Sequence, residues 1–244
     1  MPATDAIDAT EVHLWHCGTE VLQQPGIQAA CEALLLPDER QQWRRFLVAH
    51  AAESYLLTRA MMRTVLSRYA PVAPLAWTFR RNAHGRPEIS GPTLDLPLRF
   101  NLSNTRGLVV CGVTAGWDLG VDVENLDRKP SIEVADNHFA PEEVRALRSL
   151  PREAQSERFL TYWTLKEAYI KARGLGLAIP LQDFALTLSA TAAPTVAFSG
   201  SLNDDPAAWQ FGLAAPAPRY LAAVAVRRGQ APDVRVRLRP GLPL

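Results

Sequence analysis

Lysine is nearly absent from this chain: only Lys129, Lys166 and Lys171 stand among 26 basic side chains, and the rest are arginine. A guanidinium is a planar fork and an ammonium a compact point charge suited to a phosphate oxygen, so two lysines inside the nine residues Trp163–Lys171 mark that stretch as special. Cysteine is equally scarce. Cys17, Cys31 and Cys111 form no C-x-x-C, which excludes a disulfide framework and a zinc site of the usual spacing and leaves three small buried side chains. No apolar run nears the ~20 residues of a membrane span. The first residues carry Asp5, Asp8 and Glu11 with no early Lys or Arg, unlike a secretory signal, so a cytoplasmic location is expected. An excess of one charge is missing too: a net charge of +1 argues against a general nucleic-acid binder. Also absent in context are G-x-S-x-G, H-E-x-x-H, a P-loop and G-x-G-x-x-G, which disfavours the hydrolase, metalloprotease and nucleotide-binding classes that use them.

What is present is an ordinary globular composition, 48% hydrophobic and 21% charged over 244 residues, enough for one large core or two modest ones. The basic charge is unevenly spread. Between Arg40 and Arg106 eleven arginines face three acids, Glu53, Glu88 and Asp95, so an anionic ligand or partner would meet a positive surface there. Pro37-Asp38-Glu39 predicts a helix start, with a short arginine-rich helix over Arg40 to His50. A second helix is predicted from about Glu53 to Tyr69, then strands at Leu75 to Arg80, Leu98 to Leu102, Leu108 to Thr114 and Leu119 to Glu124. Helices come next around Pro141 to Leu150 and from Ala154 to Ala172, the latter stopped by Gly174. Strands near 184–188, 195–198, 209–213, 220–226 and 234–238 complete the pattern. His13-x-x-His16 beside Cys17 has the look of a loose metal cluster but reads better as an N-terminal strand.

A weak internal repeat lays Glu53-Ser54-Tyr55-Leu56 on Glu157-Arg158-Phe159-Leu160, with Met61 on Leu165 and Leu66 on Ile170, at a period of 104 residues. Leu108 to Val113 likewise resembles Leu221 to Val226. Each half would be a long helix on an antiparallel sheet, with the ligand in the cleft between halves.

The chemistry gathers at two places. In a strand Gly120-Val121-Asp122-Val123-Glu124, the alternation of side chains points Asp122 and Glu124 the same way, poised to share a cation. Magnesium takes a few carboxylates together with substrate phosphates and water. On the helix, Glu167 and Lys171 are one turn apart, with Lys166 beside them. An isolated D-x-E is ordinarily a solvated strand end and an i, i+4 pair an ordinary surface ion pair. Together they supply three carboxylates and two ammonium groups, the set a magnesium-dependent reaction on a pyrophosphate needs.

These two motifs together resemble the signature of the 4′-phosphopantetheinyl transferases of the long, surfactin-synthetase type. Gly85-Arg86-Pro87 resembles the family's G-K-P turn, Phe100-Asn101-Leu102-Ser103 its F-N-x-S strand, and Gly174-Leu175-Gly176-Leu177 its glycine-rich helix exit. The resemblance covers roughly residues 37 to 190. It implies an α+β fold, a monomeric pseudo-dimer of two similar halves, here 1–118 and 119–244, each a long helix packed on a small antiparallel sheet. It implies transfer of the 4′-phosphopantetheine arm of coenzyme A to a serine of an apo carrier protein or domain of a fatty-acid, polyketide or peptide synthase, with release of 3′,5′-adenosine bisphosphate. By the same resemblance Asp122, Glu124 and Glu167 would hold Mg²⁺, and Lys166 and Lys171 would neutralise the pyrophosphate. Glu167 is the candidate base. Gly85, Arg86 and Pro87 would border adenine and ribose, and Ser103 would approach the 3′-phosphate.

Two departures stand out. Where the family commonly has histidine after F-N-x-S this chain has Asn104, and where it tends to have a basic residue the chain has Ser54; Arg40, Arg44, Arg45 or Arg59 are the arginines available to compensate. Arg44 and Arg45, with the segment around Phe139, are expected to dock the acidic carrier. The alternative reading, a non-catalytic coenzyme A or carrier-protein binding module on the same fold, predicts loss of a motif carboxylate or lysine, and this chain keeps them all.

Overall fold

The computed structural model of the chain describes residues 4–199 and 202–244. In chain order it contains β1 (Glu11–Gly18), α1 (Ile27–Ala33), α2 (Pro37–Trp43), α3 (Ala49–Leu66), β2 (Thr78–Arg81), β3 (Pro87–Gly91), β4 (Leu98–Thr105), β5 (Leu108–Ala115) and β6 (Asp118–Asn125). Then come α4 (Val134–His138), α5 (Pro141–Arg148), α6 (Arg152–Arg173), β7 (Phe184–Thr187), β8 (Thr195–Phe198), β9 (Trp209–Ala214), β10 (Tyr220–Arg227) and β11 (Arg235–Pro240). The chain divides into two compact units. The first takes the residues up to Asn82, Pro87–Gly116 and Arg235–Leu244; the second takes Ala83–Arg86 and Trp117–Val234.

In the first unit β5 is buried along its whole length, as its run of Leu, Val and Cys requires, and it pairs antiparallel with β1 and β4. Trp15, Cys17, Phe100, Val109, Cys111 and Val113 share one face of this sheet. Onto it α3 lays Leu57, Met61, Met62, Val65 and Leu66. Each such side chain, fully buried, contributes about 1.5–3 kcal/mol of transfer free energy. The three cysteines are buried and unbridged, and burial pushes the Cys17 thiol up to about 11.

Two expectations are corrected by the fold. The last ten residues do not belong with a C-terminal half: β11 runs parallel to β1, Glu11 opposite Arg235, and Arg237 donates to the Glu11 carboxylate at 2.6 Å. The sheet is therefore mixed at that edge. The arginine-rich helix is also shorter than expected, because the chain turns after Trp43 and Val48 is extended before α3 begins. That turn lets the Phe46 ring pack on Tyr55, 5.2 Å between centroids, and leaves Arg44 and Arg45 exposed beyond the helix end.

The second unit carries the antiparallel sheet β6-β10-β9, with β10 in the centre. Its alanines allow close approach. Ala223 and Ala225 share a core with Leu165, Ala168, Tyr169 and Ala172 of α6, and the helix ends as expected at Gly174 in the left-handed conformation, φ 64°. Phe139, from the segment expected to dock a carrier, is instead core: its ring stacks on Phe159 at 5.0 Å. At the 104-residue spacing Leu56 and Leu160, Met61 and Leu165, and Leu66 and Ile170 are all buried on their long helices. Both units are thus a long helix on a sheet, an α+β architecture. Among the described residues no helix is long and apolar enough to cross a membrane.

Candidate active site

Strand β6 buries Leu119, Val121 and Val123 on one face and turns Gly120, Asp122 and Glu124 to the other. Gly120 sets how near the helix can come. A Cβ at this position would overlap the Ala168 carbonyl oxygen and the Ala172 amide nitrogen, so only glycine lets the backbone of α6 come this close to the strand. The approach brings the helix face bearing Glu167 and Lys171 to Asp122. Lys171 Nζ donates to Asp122 Oδ1 at 2.6 Å, with the Asp122 side chain almost wholly buried and the lysine partly open to solvent.

Glu124 and Glu167 complete the cluster. Burial pushes the Glu124 carboxyl up; Arg128 pulls it back through a 2.6 Å hydrogen bond to Oε1, and the Asp122 charge raises it further. Burial, then the repulsion of Asp122, raises the Glu167 carboxyl as well, and Lys171 opposes this. Arg128 is not among the residues that the sequence motifs single out. The available signal is its position four residues after Glu124, directly before Lys129.

Lys166 lies elsewhere. One residue before Glu167 on a helix is about 100° around the axis, and that rotation turns Lys166 into the core with no exposed surface. Its ammonium donates to the carbonyls of Leu181 at 2.8 Å and Phe184 at 2.6 Å and pairs with the equally buried Glu143 at 2.8 Å. Glu143 in turn accepts the amides of Ala140 and Leu186. Burial pushes Glu143 up and Lys166 down, and their mutual attraction offsets part of each shift. The expectation that Lys166 neutralises a pyrophosphate is therefore corrected: its ammonium is enclosed by three protein oxygens.

Arg86, expected to border an adenine, contacts backbone carbonyls of α6 and β6. Nη1 donates to the carbonyls of Lys171 at 2.9 Å and Ala172 at 2.7 Å, and Nη2 to that of Leu119 at 3.0 Å. Gly85, at φ 86°, makes the turn that delivers it. The other expected ligand residues belong to the first unit: Pro87 opens β3, Ser103 is buried on β4, Asn104 beside it is exposed, Arg45 is exposed, and Ser54 is buried on α3. His13 is buried in β1, with one ring nitrogen against the Tyr69 hydroxyl and the other against the Glu11 carboxylate.

Among the described residues no three His, Cys, Asp or Glu side chains already stand close enough to enclose a metal ion. Lys171 holds Asp122 and Arg128 holds Glu124 instead. The donor chemistry nonetheless fits a hard divalent cation. Asp122, Glu124 and Glu167 are hard oxygen donors, and Asp122 repels the charge of both glutamates, a repulsion that such an ion would offset.

The chain is similar to proteins of one family. The profile of the 4′-phosphopantetheinyl transferase superfamily matches residues 118–225, the span of both motifs. The 4′-phosphopantetheinyl transferase HetI of Nostoc sp. is 34% identical over 218 residues, 88% of this chain and 87% of its own length. The 4′-phosphopantetheinyl transferase Sfp of Bacillus subtilis is 31% identical over 158 residues, 64% of this chain and 67% of its own. A solved holo-(acyl-carrier-protein) synthase of Bacillus anthracis, in complex with CoA (3′,5′-ADP), covers 46% of this chain and 96% of its own at 17% identity and a TM-score of 0.38. With nearly nine-tenths of its length matched at 34% identity to HetI, the chain belongs to the 4′-phosphopantetheinyl transferase superfamily.

Proposed function

We propose that the protein transfers the 4′-phosphopantetheine arm of coenzyme A to a serine hydroxyl of an apo carrier protein or carrier domain, releasing 3′,5′-adenosine bisphosphate. The observation that carries the reading is the Asp122–Lys171 pair with Glu167 beside it, in a chain of this superfamily. The serine oxygen attacks the phosphorus that bears the pantetheine, the bond from that phosphorus to the bridging oxygen breaks, and the departing adenosine bisphosphate keeps the bridging oxygen. Glu167, beside Asp122 and Lys171, takes the serine proton. Lys171 exchanges part of its attachment to Asp122 for a phosphate oxygen and stabilises charge as it builds. A divalent cation such as Mg²⁺, held by Asp122, Glu124 and Glu167, would polarise the pyrophosphate and balance the leaving charge.

Ser103 and Asn104 offer neutral hydrogen bonds toward the 3′-phosphate, and arginines of the first unit supply the charge. Arg44 and Arg45, exposed beyond α2, suit an acidic carrier because exposed charges steer association. Purified protein incubated with coenzyme A, Mg²⁺ and an apo carrier should add the phosphopantetheine mass to the carrier. A carrier left unmodified, while a known transferase modifies it under the same conditions, would overturn the reading.

A further inference from the structure

We infer that Arg86 is a positioning residue for the catalytic cluster: it ties the end of α6 to the start of β6 and so fixes Lys171 opposite Asp122. The inference rests on the function proposed above for the Lys171 ammonium. The guanidinium satisfies carbonyls at the C-terminus of α6, where a helix leaves its last four without helical partners and where the dipole favours a cation. The amide of Gly174 reaches Ile170 O and Lys171 O, so Arg86 adds to the latter and reaches Ala172 O besides. Its other nitrogen holds Leu119 O, three residues before Asp122 on the same strand.

A closed circuit results. It runs from the Lys171 backbone through Arg86 to Leu119, along β6 to Asp122, and back through the Lys171 ammonium at 2.6 Å. Two nitrogens of one rigid plane fix the spacing of helix end and strand more tightly than an ammonium on a flexible stem would. The contacts of residues 83–86 with the second unit, although the chain on both sides of them belongs to the first, are what this anchoring would produce. An error of about an ångström in the place of a charge costs a large factor in rate, so a clamp of this kind acts on catalysis without touching substrate.

A double-mutant cycle on Arg86 and Lys171 tests the clamp, read both by transfer kinetics and by calorimetric binding of coenzyme A. Arg86→Gln should lower kcat/KM roughly tenfold, the size expected for coupled groups, mostly through kcat, and Arg86→Lys should recover only part of it. In a Lys171→Ala background Arg86→Gln should add almost nothing to either readout. Hydrogen exchange should show the last turn of α6 and the Leu119 end of β6 loosening together in Arg86→Gln. Additive losses, with KM for coenzyme A raised and kcat kept, would instead make Arg86 a direct coenzyme contact and overturn the clamp. Unchanged exchange at both segments would overturn it too. If the wild-type chain neither binds coenzyme A nor modifies a carrier, the proposed function fails, and the exchange experiment alone then decides the clamp.

Discussion

Lys171 Nζ and Asp122 Oδ1 are 2.6 Å apart, and that contact exists because position 120 has no side chain. There the strand meets the helix backbone directly. Gly120→Ala would force Ala168 and Ala172 away and carry Lys171 off with them. It should cost about 3 kcal/mol or more in urea unfolding, the upper end of overpacking penalties, and a stability equal to wild type would show that the close approach is not fixed.

Lys171→Arg keeps the charge but replaces a point with a longer planar fork. If the ammonium moves between Asp122 and a phosphate oxygen, this variant should lose at least tenfold in kcat/KM, about 1.4 kcal/mol of transition-state stabilisation. Turnover indistinguishable from wild type would return Lys171 to an ordinary ion pair.

Lys166 should behave as part of the core. Lys166→Met alone leaves the Glu143 carboxylate buried without its cation and should destabilise by about 3–5 kcal/mol, whereas Lys166→Met with Glu143→Leu should recover most of that, since buried pairs are replaceable by apolar ones. Thermal melts of the three proteins decide it. A stable Lys166→Met protein that has lost only activity would favour a phosphate contact after all.

His13 gives a pH signature of stability. Burial lowers its affinity for a proton below the ordinary value of 6.5, although Glu11 opposes the shift. A lowered histidine contributes stability that is complete above the unfolded value and fades as pH falls through the folded one. The wild type should therefore lose stability on acidification below about pH 6.5, and His13→Gln should lose less over that range. Parallel melting curves for the two would contradict this.

Much of the site is written in local pattern. Alternation along β6 places Asp122 and Glu124 on one face, and helical spacing places Glu167 one turn from Lys171, because both depend only on backbone period. The long helices and the central strands β5 and β10 are legible for the same reason: their apolar runs are dense. Lys166 escapes such a reading because adjacency in sequence is not adjacency on a helix, and its partner Glu143 sits on α5 with no spacing rule to link the two. The contacts of Arg86 with three carbonyls, and the pairing of β11 with β1, join segments far apart in the chain. Side-chain periodicity carries no trace of a backbone carbonyl as a partner.

The most direct test of the account is the rate of carrier modification, followed by intact mass, for the wild type beside folded Asp122→Ala and Glu167→Ala. Each substitution removes a carboxylate from the cluster and leaves the rest of the core in place. The account predicts that wild type modifies an apo carrier with coenzyme A and Mg²⁺, and that both variants fall by a factor of about a hundred or more, the scale of about 2.7 kcal/mol lost at a transition state. Either variant working within a few-fold of wild type would contradict it.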